Sequence, residues 1–248
     1  MKISNTISGR AFIFIYGVAS YLIGMASLGY AVGFLGDILV PKSIDSAATT
    51  SFGRALAVNL VLLTVFSMQH SVMARPAFKR WWTRIVPEPA ERSTYVLFSG
   101  VALTALFVFW QPMGGTIWEV KNLAGRAALY AAFASGWLLV VGTTCLINHF
   151  DLFGLRQVWL HLTGREYTPL VFKTPSLYRM VRHPLYAGLL LAFWATPVMT
   201  VAHLVFAVAT TIYILAAIRL EERDLLAQHP EYEEYRRRVP MLVPSVRQ

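Results

Sequence analysis

Long apolar stretches alternate with short polar ones along the whole chain. The apolar runs cover about Ala11–Leu35, Arg54–Met73, Thr94–Trp110, Gly125–Ile147, Tyr186–Thr196 and Val201–Leu220. A hydrocarbon core about 30 Å thick takes about 20 apolar helical residues to cross. With no water at that depth, backbone groups are satisfied only inside helices or closed barrels. The first run exceeds the core of a signal peptide, about 7–15 residues, and reads as a retained span. The fifth reaches spanning length only if its helix begins upstream, near Leu177. Pro197 marks the turn between the last two helices, because proline cannot continue the helical ladder, so those two are expected to form a hairpin. The predicted fold is all-α: an integral membrane bundle of about six transmembrane helices. It is expected to be one domain over residues 1–248, with scaffold spans one to four and a polar loop in 1–175, and the hairpin and a docked tail in 176–248.

Composition agrees with the pattern. The chain of 248 residues is 56% hydrophobic and only 14% charged, where a water-soluble domain carries about a quarter charged residues. Its mean hydropathy is +0.52. The lone Cys145 excludes an intramolecular disulfide and a cysteine metal site; it reads as a small hydrophobe.

The net charge of +9 matters through its distribution. Lys2 and Arg10 precede span one. Arg75, Lys79, Arg80, Arg84 and Arg92 follow span two; Arg156, Arg165, Lys173, Arg179 and Arg182 follow span four. The tail adds Arg219, Arg223, Arg236, Arg237, Arg238 and Arg247. The other connections are poor in cations, and cytoplasmic loops are the basic ones. The alternation predicts both termini in the cytoplasm. No basic stripe with spaced aromatics stands apart from the spans, so no nucleic-acid partner is expected; the bilayer is.

The same topology gathers the ionisable groups. His70, Arg75, Glu91, Arg92, Tyr95, His149, Asp151, Arg182, His183, Tyr186, Glu221 and Glu222 all fall near predicted cytoplasmic helix ends. Ion and proton pathways need charge at mid-membrane depth; a site reached from the cytosol does not. The sharpest motif is Arg182-His183-Pro184-Leu185-Tyr186-Ala187-Gly188. Proline is harmless in a first helical turn, His183 and Tyr186 share a helix face, and Gly188 permits close approach of backbone or ligand. The plainer reading is an interfacial anchor. Glu221 and Glu222 oppose both the helix dipole at a C-terminus and the basic bias of that face; they are either a solvated face or one wall of a pocket with Arg182. Tyr232 and Tyr235, three apart and followed by Val239-Pro240 and Val243-Pro244, read as the docked tail.

These elements carry a resemblance. Arg182-His183-Pro184-x-Tyr186-x-Gly188, Glu221-Glu222-x-x-Leu225, Tyr232-x-x-Tyr235 and the Val-Pro tail look like the isoprenylcysteine carboxyl methyltransferase superfamily. Upstream, Met68–Pro76, Glu91–Tyr95 and Asn148–Arg156 resemble the bacterial methanethiol S-methyltransferases. The resemblance implies an enzyme of the bacterial inner membrane that moves a methyl group from S-adenosylmethionine to a small volatile thiol, turning methanethiol into dimethyl sulfide, with no obligate protein partner. It assigns the cofactor to Arg182, His183, Tyr186, Gly188, Glu221 and Glu222. A zwitterionic ligand suits that set: its carboxylate matches Arg or His and its ammonium matches Glu. The segment Lys173–Tyr178 lacks the glycine that often precedes the tyrosine in this superfamily, which leaves the part of Tyr178 open.

A thiolate is the competent nucleophile, so a base is expected. Asp151, His149 and His70 are the candidates, with Tyr95 and Arg92 as orienting groups. Two rival readings stay open: a related enzyme acting on an isoprenoid or lipid-like thiol or carboxylate, and a haem- or metal-binding isomerase using His70, His149 and His183. No metal-spaced histidine pair occurs, and no metal is expected.

Overall fold

The computed structural model describes residues 6–170, 176–228 and 230–244; Lys2, Lys173 and Arg247 of the charge pattern lie outside them. In chain order the helices are α1 (Ile7–Gly36), α2 (Phe52–Ala74), α3 (Pro76–Trp82), α4 (Glu91–Phe109), α5 (Leu123–Ile147), α6 (His149–Leu152), α7 (Leu155–Leu162), α8 (Pro184–Trp194), α9 (Val201–Gln228) and α10 (Tyr232–Arg238). Two short strands, β1 (Thr116–Glu119) and β2 (Val198–Thr200), interrupt them. Helices α1, α2, α4, α5 and α9 are long and apolar enough to cross a bilayer, the third of these counted with the turn before it. Their outward faces carry large apolar side chains such as Phe12, Val65, Phe98, Leu138 and Ile212. This is a helical membrane protein.

The fifth apolar run behaves differently from the expectation. Its helix does not begin near Leu177. A 3₁₀ turn covers Ser176–Arg179 and α8 starts only at Pro184. The proline ring disfavours helical backbone in the residue before it, and His183 is accordingly non-helical at φ −126°, ψ 64°. With 11 residues at about 1.5 Å rise each, α8 is roughly half as long as the hydrocarbon core is thick.

The chain divides into two compact units, one holding the elements up to Pro112 and Asn148–Leu170, the other Met113–Ile147 and the elements from Ser176 onward. α5 thus groups with the C-terminal elements, where the sequence pattern by itself puts it with the other spans of 1–175.

In the first unit α1 packs along α4, α2 along α4, and α7 against α1. Helix α1 opens on Thr6, whose side chain accepts from the Gly9 amide, an N-cap. It meets α4 through small residues: Ser27 Oγ reaches the Gly100 carbonyl at 3.0 Å and Thr104 Oγ1 at 2.9 Å. Asn59 on α2 clasps the backbone of Gln111 in both directions.

In the second unit α5 lies on α8 at glycine distance. A Cβ on Gly136 would stand 2.7 Å from the Gly188 carbonyl oxygen, and one on Gly188 would stand 2.7 Å from that of Gly136. Small residues at such crossings let helix backbones touch in lipid. α8 then turns back antiparallel to α9, and its rungs run in register: His183 opposite Glu222, Tyr186 opposite Glu221, Trp194 opposite Thr211. Pro197 falls in the turn, as expected, but the turn also holds β2. That strand pairs antiparallel with β1, with Trp118 opposite Met199 and an irregularity between Thr116 and Trp118. The ribbon ties the entry of α5 to the entry of α9.

Candidate functional site

The two charged stretches singled out in the sequence meet in the second unit. Glu222, 7% exposed, is its centre. Oε1 accepts from Arg182 Nε at 2.8 Å, His183 Nε2 at 3.0 Å and Tyr232 Oη at 3.4 Å; Oε2 faces Arg236 Nε at 3.4 Å. A carboxylate this buried is tolerated only when paired and hydrogen-bonded, and four donors meet that need. The neutral or cationic His183 presents an N–H here, because an ionised carboxylate only accepts.

Arg182 is equally committed. Its Nη1 donates to the carbonyls of Arg236 (2.9 Å) and Val239. The backbone amides of Arg182 and His183 donate to the carbonyls of Pro240 (2.9 Å) and Met241 (3.1 Å). The tail is therefore stitched to the start of α8 by both side chain and backbone. Tyr235 adds a bond from its hydroxyl to the Tyr178 carbonyl at 2.6 Å. Burial pushes the Tyr235 phenol up to about 12, and raises Tyr232 and Tyr178 further, with the carboxylates of Glu222 and Glu221 respectively adding to the effect.

Glu221 is the half-exposed partner of this set, accepting from Tyr186 Oη at 3.2 Å. Its charge is felt at Tyr178, so the tyrosine whose part the sequence left open stands beside it. At Gly188 the missing side chain makes room for the α5 backbone. The arrangement offers one accessible carboxylate flanked by phenols, backed by a buried ionic knot that fixes α8, α9 and the tail. An ammonium group fits Glu221; the Arg182 guanidinium is held by protein acceptors through Nε and Nη1.

The remaining candidates belong to the first unit and form three separate clusters. His70 bonds Tyr95 Oη through Nε2 (2.8 Å) and Ser99 Oγ through Nδ1 (3.1 Å), with Phe66 stacked on its ring. His149 Nε2 bonds Tyr21 Oη at 2.9 Å within a cage that includes Phe150 and Phe153. Asp151, 6% exposed, is clamped by Arg156 Nη1 at 2.7 Å and approached by Tyr167 Oη at 3.4 Å; Arg156 also holds the Thr168 carbonyl. That pairing braces the turn between α6 and α7. Arg92 acts electrostatically at both Tyr167 and Lys79. Beside this cluster a hollow of about 420 Å³ is walled by Phe14, Val18, Phe150 and Trp159, with Asn148 and Arg156 at its polar edge.

Local backbone explains why the Asn148–Arg156 motif is what it is. Asn148 caps α6 by accepting from the Asp151 amide, at an unusual φ of 149°. Gly154 has φ +87°, and a Cβ there would lie 2.8 Å from the Ser93 amide, so the position is closed to other residues twice over. Tyr21, Ser99 and Tyr167 carried no signal in the sequence, since single hydroxyls next to spans are common. Arg236 was legible only as topology charge. Among the described residues no three His, Cys, Asp or Glu side chains converge as a metal-binding set, and His70 and His149 are engaged by hydroxyls.

Apolar helices of spanning length and an ionic cluster where α8 begins and α9 ends define a class: a helical membrane protein with a polar site at its helix ends. The chain is 57% identical to the methanethiol S-methyltransferase of Crocosphaera subtropica, over 98% of this chain and 96% of that protein. It is 54% identical to the methanethiol S-methyltransferase of Mycobacterium tuberculosis, over 95% and 97%. It therefore belongs to the methanethiol S-methyltransferase family. Nurim of Xenopus laevis is a remoter likeness, 29% identical over 89% of this chain and 81% of that protein, and fits the wider isoprenylcysteine carboxyl methyltransferase superfamily. No family model and no solved structure matches the chain.

Proposed function

We propose that this protein methylates methanethiol with S-adenosylmethionine, releasing dimethyl sulfide, at the cytoplasmic face of a bacterial inner membrane, with six crossings and both termini cytoplasmic. The observation that carries the reading is near-full-length identity of 57% to a protein of that name. The polar cluster supplies a physical basis for the donor: Glu221 with Tyr186 for an ammonium, and the Arg182–His183–Glu222 knot to hold α8, α9 and the tail in register around it. Gly188 contributes by letting α8 settle on α5.

When bound, the donor supplies an electrophilic methyl group on sulfur. The protein's part is to bind, orient and exclude water, since attack requires the thiol sulfur in line with the bond that breaks. The new sulfur–carbon bond forms as the old one breaks, and the thiol proton leaves to a base. For that proton Asp151, His149 and His70 are the proposed candidates, with Tyr95 and Arg92 as orienting groups.

The test is incubation of the purified protein with methyl-labelled S-adenosylmethionine and methanethiol, followed by headspace analysis. Labelled dimethyl sulfide is expected. Product formed equally well from an isoprenoid thiol, or no volatile product at all, overturns the substrate. Glu221→Gln should weaken donor binding in calorimetry at least tenfold, about 1.4 kcal/mol; unchanged affinity removes Glu221 from the site.

A further inference from the structure

A second charged feature of the C-terminal unit plays no part in that reading. An open cleft of about 530 Å³ lies between the Ser176–Arg182 turn and the tail. Arg179, Arg237 and Arg238 line it together with apolar Met180, Val239 and Pro240. Glu234 pairs with Arg238 at 3.4 Å, while Glu222 is taken by Arg182 and Arg236. Among the described residues neither Arg179 nor Arg237 has an ion pair. Met180 is 53% exposed beside them, an apolar side chain left uncovered next to guanidinium groups.

We infer that this cleft binds the headgroup of an anionic phospholipid. Guanidinium groups match phosphate oxygens in a two-pronged geometry. A phosphodiester tethered to acyl chains is the anion that presents charge and apolar surface side by side, as the cleft does with Arg179 and Arg237 against Met180, Val239 and Pro240. The position suits such a ligand: α9, a helix long and apolar enough to span, ends on this side of the unit, and juxtamembrane arginines interact with anionic headgroups. Val239 also accepts from the Arg182 side chain, so an occupant of the cleft braces the same tail segment that locks the ionic knot.

The experiment titrates the full-length protein in detergent with phosphatidylglycerol or phosphatidylcholine and reads bound lipid by native mass spectrometry. Phosphatidylglycerol should bind in preference. Each juxtamembrane arginine contributes roughly fivefold, so Arg179→Gln/Arg237→Gln should lose about 25-fold in affinity for it. Met180→Glu, which sets a carboxylate among the arginines, should lose as much. Arg165→Gln removes the same charge from an exposed residue outside the cleft and should bind as wild type. The inference fails if the double variant keeps wild-type affinity, or if Arg165→Gln loses affinity as deeply, which would make the effect one of bulk charge. It also fails if inorganic phosphate at matched concentration displaces the lipid, because the ligand is then a soluble anion.

Discussion

Glu221 and Glu222 are neighbours in sequence and opposites in environment, because consecutive helical residues point about 100° apart. Glu222 turns inward to Arg182, His183, Tyr232 and Arg236; Glu221 turns toward Tyr186 at the edge of the cluster. The two isosteric variants should therefore separate. Glu222→Gln leaves two guanidiniums without their carboxylate and should cost about 3 kcal/mol of stability, seen as a lowered melting temperature in detergent. Glu221→Gln should melt like wild type; if it melts as low as Glu222→Gln, the division of labour is wrong. Gly154→Ala makes a similar point for the first unit. A positive φ and a close approach to Ser93 together should cost about 1–3 kcal/mol, and an unchanged melting temperature would show that the turn relaxes. That Arg182, His183 and the two glutamates lie together was legible in the sequence through motif and spacing. Which glutamate is buried was not, because a cluster of charges at a helix end carries no rotational phase until its partners, here Tyr232 and Arg236 from the tail, are in place.

At the scale of elements, α8 shows where local rules outrun hydropathy. The apolar run near Tyr186–Thr196 invited a helix reaching back to Leu177, yet the restriction that Pro184 places on His183 sets the start. The strands β1 and β2 escaped notice because three or four residues give too short a period to read. The α5–α8 crossing predicts that Gly136→Val, which forces backbone apart at 2.7 Å contacts, costs about 1–3 kcal/mol, whereas valine at Gly142, open on the same helix, should be silent. The docking of the tail depends on pH at the alkaline end. A phenol's ordinary value is 10.0 and Tyr235 is pushed up to about 12; Tyr178 and Tyr232 shift the same way. The fold favours the neutral phenols, so their contribution is complete below about pH 10 and drains away as the pH climbs through about 12. Protease cleavage of the tail should rise across that window. Tyrosinate absorbance in which every tyrosine titrates near 10 would contradict the docking.

For the whole molecule, the membrane character was written in the runs of apolar residues, and five of them became helices of spanning length. The proposed topology depends on the remaining one, the fifth, which forms α8. If α8 and the turn after it complete a crossing, both termini face the cytoplasm; if not, they face opposite sides. A fluorescent reporter that matures only in the cytoplasm should light up at either terminus, and silence at one of them would sink the six-crossing proposal. The division into two units was not legible, because it depends on α5 choosing α8, and that choice rests on two glycines lying 52 residues apart in the sequence.

The shortness of α8 bears on how the chain enters the bilayer during synthesis. Eleven residues are too few to be retained by the insertion machinery on their own hydrophobicity. On the six-crossing proposal α8 enters only together with α9, the two delivered as a pair.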